Sequence, residues 1–440
     1  MSINQPFSIF LPIRRKFQFL GAVVILFFVT YTAQATTPSG VSPNQFKKGT
    51  DSDRIEAAIK LARKTSGVVT IPAVNANGTK IWSIDRAILL PSDITVFLEN
   101  CTIQLSDSCR DNMFRSDNVG MDVTDPVWNK NIHIIGLGEV FLKGANNPRS
   151  TGDGGRTLTL DPDAEQAKGN WRVSYGTDAG KPDRKQKGDW RNILILIAKV
   201  ENFTLKNVKI RNSHAWAVSF ERTRNADLSD INIHNPEEMM IGNREVKVFN
   251  KDGIDLRQGC KNFKINNISG FTGDDFIALS SLDTKTATAP TNGNINSTMV
   301  TASRWYGPED DTEQIFITNI NCESICRGVA IRGSDSASIH HVYVDGLITR
   351  EVKGKGGKHN AILIGGKGYG APSESGKINH IYVMNVMSTG FAPFLIEAPV
   401  ADCHFVNVMY TGRDKDLIHY AMDKNLMKNI TETNLKKLGD

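Results

Sequence analysis

Apolar and polar positions alternate in short runs through the middle of the chain, and the runs recur. "VENFTLKNVKIRNSHAWAVSFE" (200–221) lines up with "CKNFKINNISGFTGDDFIALSS" (260–281). "TEQIFITNINCESICRGVAIRG" (312–333) and "INHIYVMNVMSTGFAPFLIEA" (378–398) follow the same plan. Each has an alternating strand, a short turn and a second strand such as A-V-S-F, F-I-A-L or V-A-I-R. Gly, Ser, Asp and Asn punctuate them. The turn residues of a meander, such as Asn-Gly between paired strands, are mostly absent. Recurring Asn instead suggests side-chain amides stacked from repeat to repeat. The pattern predicts an all-β fold, a single-stranded right-handed parallel β-helix of about ten coils over roughly 80–415. "SDRIEAAIKLARKTSG" (52–67) reads as an amphipathic helix capping its N-terminal end. The polar stretch 413–440 reads as a helical cover for the other end.

Register then brings charged residues together. Ile254 and Leu256 in "KDGIDLR", Ile277 and Leu279 in "GDDFIALS", and Val329 and Ile331 in "CRGVAIRG" align as equivalent positions. Two residues before the first apolar position stand Asp252, Asp275 and Arg327, with Trp216 one coil earlier and Asn360 one coil later. Coils stack about 4.8 Å apart, so equal register becomes adjacency. Asp252, Asp274 and Asp275 should form a carboxylate cluster with Arg327 beside it. Crowded carboxylates push one another toward protonation, which supplies an acid and a base in one site. Insertions gather here, at 236–248, 282–311 and 351–359, and long loops usually carry function. Trp216, Trp305 and Tyr306 are candidates to stack on sugar rings, each with the alternative of packing. His214 is a candidate for the cleft or for a structural hydrogen bond. Asn250 either orients substrate or joins the amide ladder. The loop-rich 144–191, with Trp171 and Trp190, either closes one end of a cleft, which would favour exo action, or is a mobile surface insertion.

Composition narrows the setting. The run "FQFLGAVVILFFVTY" follows Arg14, Arg15 and Lys16 and precedes Ala33-Gln34-Ala35. It reads as a cleaved secretory signal over 1–35, with a linker at 36–50 and a catalytic β-helix at 51–440. The product is expected to be exported, to the periplasm or outside the cell, and to have no membrane association after cleavage. The 52 Lys and Arg against 47 Asp and Glu give +5, and three of the basic residues lie in 1–35, leaving +2. That balance does not suggest a nucleic-acid partner. Six cysteines are too few for a disulfide scaffold, although Cys101–Cys109 and Cys322–Cys326 could pair. "CESIC" lacks a second ligand pair, so no zinc site is expected.

The stretch 190–345 resembles glycoside hydrolase family 28, the polygalacturonases. More loosely, 50–420 resembles the wider pectate-lyase-like β-helix superfamily. "NKD" (250–252) stands for the family's N-T-D and "GDD" (273–275) for its G-D-D one coil later, and "SHAWAVSFERTRNADLSDINI" (213–233) resembles the preceding coil. The chain departs from the family at G-H-G, where Arg327 replaces the histidine. It departs again at R-I-K, where "ILIG" (362–365) has neither cation and "AIR" (330–332) offers only Arg332. Those family cations hold a galacturonate carboxylate, so the departure bears on the sugar more than on the chemistry. The resemblance implies an inverting hydrolase. Asp274 would be its general acid, Asp252 and Asp275 the residues that activate water, and Asn250, Arg327, Arg332, His214 and Trp305 substrate contacts. It implies a polysaccharide or oligosaccharide substrate, no cofactor, no resident metal and a monomer. Two rivals share the scaffold. One is a lyase or epimerase in which the three aspartates ligate Ca²⁺ and Arg327 abstracts a proton. The other is a non-catalytic carbohydrate-binding solenoid.

Overall fold

The computed structural model describes residues 40–439, apart from 110, 121, 122, 124, 125, 147–154, 159–163, 165, 166, 170–172, 175–184, 188, 189, 242, 283–299, 302–306, 335, 353–358, 367–371 and 391. The segment 1–35, read as a secretory signal, and Trp171, Trp305 and Tyr306 therefore lie outside the described residues.

Alternation has built two main parallel sheets. One runs from Val68–Ile71 to Lys428–Lys437, and each strand of its path pairs with the equivalent strand of the next coil. The other, of ten short strands, runs from Ile88–Leu90 to Ile418–Tyr420 and includes Val218–Glu221, Ile254–Arg257, Ile277–Leu282 and Arg327–Ser334. From Ile195–Ala198 onward, apart from the hairpin of Glu238–Ile241 and Arg244–Lys247, successive strands alternate between the two sheets, which defines a parallel β-helix. Inward residues fill one continuous core, including a column in which Phe220 meets Phe203 and Phe263 edge to face at 5.4 and 5.1 Å.

The Asn punctuation has a backbone cause. Asn202 and Asn207, Asn225 and Asp230, Asn262 and Asn267, and Asn429 and Asn434 all have φ between 52° and 65°. Asn and Asp tolerate this left-handed conformation better than other side chains, and it bends each long strand twice. The amides then ladder from coil to coil, Asn262 onto Asn225 at 2.7 Å and Asn267 onto Asp230 at 2.6 Å.

Two boundaries differ from expectation. The stretch read as a linker is part of the fold from residue 41, where Val41 pairs with Val69 and Pro43–Gln45 forms a 3-10 turn. The C-terminal stretch is a strand, Lys428–Lys437, rather than a helix. Its polar residues keep the Asn ladder, with Asn434 on Asn407 at 2.8 Å, so it adds a coil. Near the other end, helix Asp51–Ala62 starts at a capping box between Thr50 and Asp53. It buries Ile55, Ala58, Ile59 and Ala62 in the core.

Candidate active site

Register delivers the column. Val218 pairs with Ile254, Ile254 with Ile277, Ile277 with Val329, and Arg327 with Asn360. Asp252 and Asp275 therefore occupy the same place in neighbouring coils, one turn before the short sheet. The turns are tied through the backbone. Gly253 N–H donates to the Asp275 carbonyl at 2.9 Å, and Phe276 N–H to the Arg327 carbonyl at 2.8 Å. Gly253 has no room for a side chain, since a Cβ would sit 2.3 Å from the Phe276 carbonyl oxygen. Gly273 likewise lies against the backbone nitrogen of Glu237, 2.8 Å from where its Cβ would be.

Asp252, Asp274 and Asp275 each bring a carboxylate oxygen within 4.8 Å of the others. Asp252 and Asp275 are buried and Asp274 is half-buried. Arg332 is ion-paired to one oxygen of Asp275, and Arg327 approaches the other at 3.6 Å. One buried oxygen each of Asp252 and Asp255 lacks a hydrogen bond. Burial, reinforced by Asp274 and its neighbours, pushes Asp252 well above the ordinary carboxylate range. Burial and the adjacent Asp275 push Asp274 up to about 6. Burial also raises Asp255, against the pull of Arg257. Asp275 is thus the member whose charge the guanidinium groups compensate, while Asp252 and Asp274 are biased toward holding protons.

Asp274 is positioned from the next coil. Its carbonyl accepts from the hydroxyls of Thr272 and Ser324, both at 2.7 Å, and its carboxyl contacts the Cys326 thiol. Lys251, between Asn250 and Asp252, is wholly buried, with its ammonium donating to the Ser213 carbonyl and 3.5 Å from the Met239 sulfur. Burial pushes it down to about 7. Asn250 itself is half-buried in a left-handed backbone, φ 57°, at the turn leading to Asp252.

Other candidates separate from this group. His214 is wholly buried, and its Nε2 accepts from the Ala145 N–H at 2.9 Å, so it ties two segments together rather than facing a cleft. Trp216 and Trp190 belong to a small buried cluster over the short sheet, with Arg257 5.0 Å above the Trp216 ring. They pack instead of offering faces to a sugar. All six cysteines are free. Sequence reasoning takes Asp255 only for a structural acid at a turn or strand edge and Cys326 only for a disulfide partner, and it passes over Arg257 and the buried His359, although "KDGIDLR" already carried an acid and an arginine at strand spacing.

The carboxylate spacing is small enough for a cation. However, Ca²⁺ takes six to eight oxygens, and one of the three carboxylates already holds arginine. The set is thus a poor match to that ion. Nor does Arg327 fit a base. Burial pulls its pKa down, but the field of Asp275 prevails and holds it above the ordinary arginine value.

The model of glycosyl hydrolases family 28 matches residues 160–307, which include all three aspartates. No curated protein sequence matches. Among solved structures, the polygalacturonase of Erwinia carotovora ssp. carotovora is 16% identical with a TM-score of 0.50, covering 92% of this chain and 97% of that one. The endo-xylogalacturonan hydrolase of Aspergillus tubingensis is 13% identical at 0.50, covering 91% and 92%. A tailspike protein double mutant of E. coli bacteriophage HK620 is 13% identical at 0.57, covering 91% and 67%. These likenesses show the fold, and the family match falls on the coils that carry the carboxylates. The chain is a glycoside hydrolase similar to family 28, built as a polygalacturonase-like β-helix.

Proposed function

We propose that the protein is an exported, monomeric hydrolase that cleaves a uronate-containing, pectin-like glycan with inversion at the anomeric carbon. The carrying observation is three carboxylate oxygens within 4.8 Å of one another, with both Arg327 and Arg332 paired to Asp275. Asp274, pushed up to about 6, keeps a proton in weakly acidic solution and donates it to the leaving oxygen. Two oxygens that accept bonds of about 2.8 Å from one water at its tetrahedral angle lie about 4.6 Å apart. The cluster therefore suits a water held between Asp252 and Asp275, with Asp275 taking its proton. Arg327, half-buried and 3.6 Å from Asp275, has guanidinium donors beyond that contact that suit a sugar carboxylate. The substrates named for the similar structures, polygalacturonan and xylogalacturonan, favour the same class.

The test has two readouts. Incubation with homogalacturonan, xylogalacturonan and neutral glycans should yield new reducing ends from the acidic polymers only. Proton NMR of the first product should show the anomer opposite to the substrate's. A retained anomer would make Asp252 or Asp275 a nucleophile, a geometry the short spacing also suits. A ring double bond would mean elimination instead.

A further inference from the structure

The coils that carry the carboxylates have a second feature on the outer face of the long sheet. A groove of about 690 Å³ opens there. Its spine is one column of outward side chains, Arg211, His234, Phe271, Glu323 and Arg350, paired in that order by strand register. Between the flanking amides of Asn232 and Asn321, the middle coil has only Ser269 and Gly270. Gly270, at φ 132°, lies so close to the preceding coil that a Cβ would fall 1.8 Å from the Ile233 carbonyl oxygen. Gly270 therefore cannot carry a side chain, and the middle coil leaves the recess floored by backbone and Ser269.

Four coil steps separate Arg211 from Arg350, about 19 Å at about 4.8 Å per step. A cation stands at each end. Arg211 is held by the carbonyl and Oδ1 of Asn232 at 2.9 and 2.7 Å, and Arg350 by Asn321 Oδ1 at 2.8 Å and Glu323 at 3.3 Å. Each guanidinium has five donors, so both keep capacity beyond these bonds while their orientation is already set. Between them the Phe271 and His234 rings lie 5.6 Å apart at 45°. Glu323 offsets one cation, which leaves the groove positive overall. An elongated recess with fixed cations at its ends and rings at its middle matches an anionic chain with apolar faces.

We propose that this groove is a secondary binding site for a carboxylate-bearing oligosaccharide, holding a stretch of acidic polymer on the flank of the coils that cut it. The identity of that polymer rests on the function proposed above. The binding does not, because the groove shares no residue with the carboxylate cluster.

Calorimetric titration of hexagalacturonate into the Asp274→Asn protein should fit two sites. Arg350→Gln or Phe271→Ala added to that background should weaken one of them about tenfold, the loss expected for a charged hydrogen bond or an aromatic contact. Ser269→Tyr, which fills the recess from the surface, should remove the same site, and melting temperatures identify the variants that remain folded. In the otherwise native enzyme, these changes should slow cleavage of long polygalacturonate below saturation and leave trigalacturonate unaffected. One site in Asp274→Asn, two sites unaltered by Ser269→Tyr, or equal binding of neutral maltohexaose would overturn the proposal. If the protein hydrolyses nothing, the hydrolase reading falls while the two-site titration still decides this one.

Discussion

Asp274 is gripped by hydroxyls from two coils at its carbonyl and touched by a thiol at its carboxyl, so its proton is held in a fixed place. If that proton goes to the leaving oxygen, Asp274→Asn should lower turnover of natural substrate about 10²–10⁴-fold. A nitrophenyl glycoside needs little protonation, so its hydrolysis should largely survive. Asp275→Asn should lose both, because water must still be activated. Equal loss on both substrates in Asp274→Asn would refute the assignment. Cys326 gives a finer probe. Its contact favours the ionised form of Asp274, so Cys326→Ala should raise the Asp274 pKa above its present value of about 6. An acid works while protonated, and the alkaline limb of kcat/KM should therefore move to higher pH, with the acidic limb unmoved. A merely structural cysteine would lower activity evenly across the profile. The three aspartates were legible because register is a property of spacing. Cys326 and His214 were not, since a side chain's direction depends on neighbours tens of residues away, such as Ala145 for His214.

At the scale of elements, the strand Val218–Glu221 anchors the long insertion that follows Asp275. Buried Glu221 accepts from the N–H groups of Val300 and Thr301 and from the Thr301 hydroxyl. Arg222 forms a bidentate pair with Asp310 at 2.7 and 2.8 Å. Both members of that pair are buried, so removing one strands a charge. Arg222→Ala is expected to cost about 3–5 kcal/mol in urea unfolding. A change below about 1 kcal/mol would show that the pair is solvated like a surface bridge. The insertion was visible in the sequence as a break in the repeat, but its anchors were not, because Glu221 and Arg222 look like ordinary strand-end polar residues. The C-terminal strand was missed for a related reason. "KNITETNLKK" alternates too weakly to compete with its helix-forming lysines, leucine and glutamate. The decisive signal was the five-residue spacing of Asn429 and Asn434, which recurs at Asn202 and Asn207 and at Asn262 and Asn267.

The whole molecule stacks coils on a dry core and sets a group of buried carboxyls at its side, and these two features oppose each other. Asp252 and Asp255 are pushed well above the unfolded carboxylate value of about 3.8, and Asp274 to about 6. A carboxyl whose folded pKa is raised binds its proton more tightly in the folded state. Its contribution to stability is complete below about pH 3.8 and is lost as pH rises through the folded value. The cluster should therefore weaken the fold from weakly acidic to alkaline pH, the range in which a shared proton is useful for catalysis. Asp255 isolates this effect, since it lies between Ser219 and Ala278 in the sheet and is assigned neither acid nor base. Asp255→Asn cannot ionise. Relative to the parent, its melting temperature should rise by a few degrees on going from pH 4 to pH 8. Any cost from lost packing or hydrogen bonds would shift both measurements alike and cancel in the comparison. A difference that stays flat with pH would mean that Asp255 titrates at its ordinary value, and that the stability cost belongs to Asp252 and Asp274 alone.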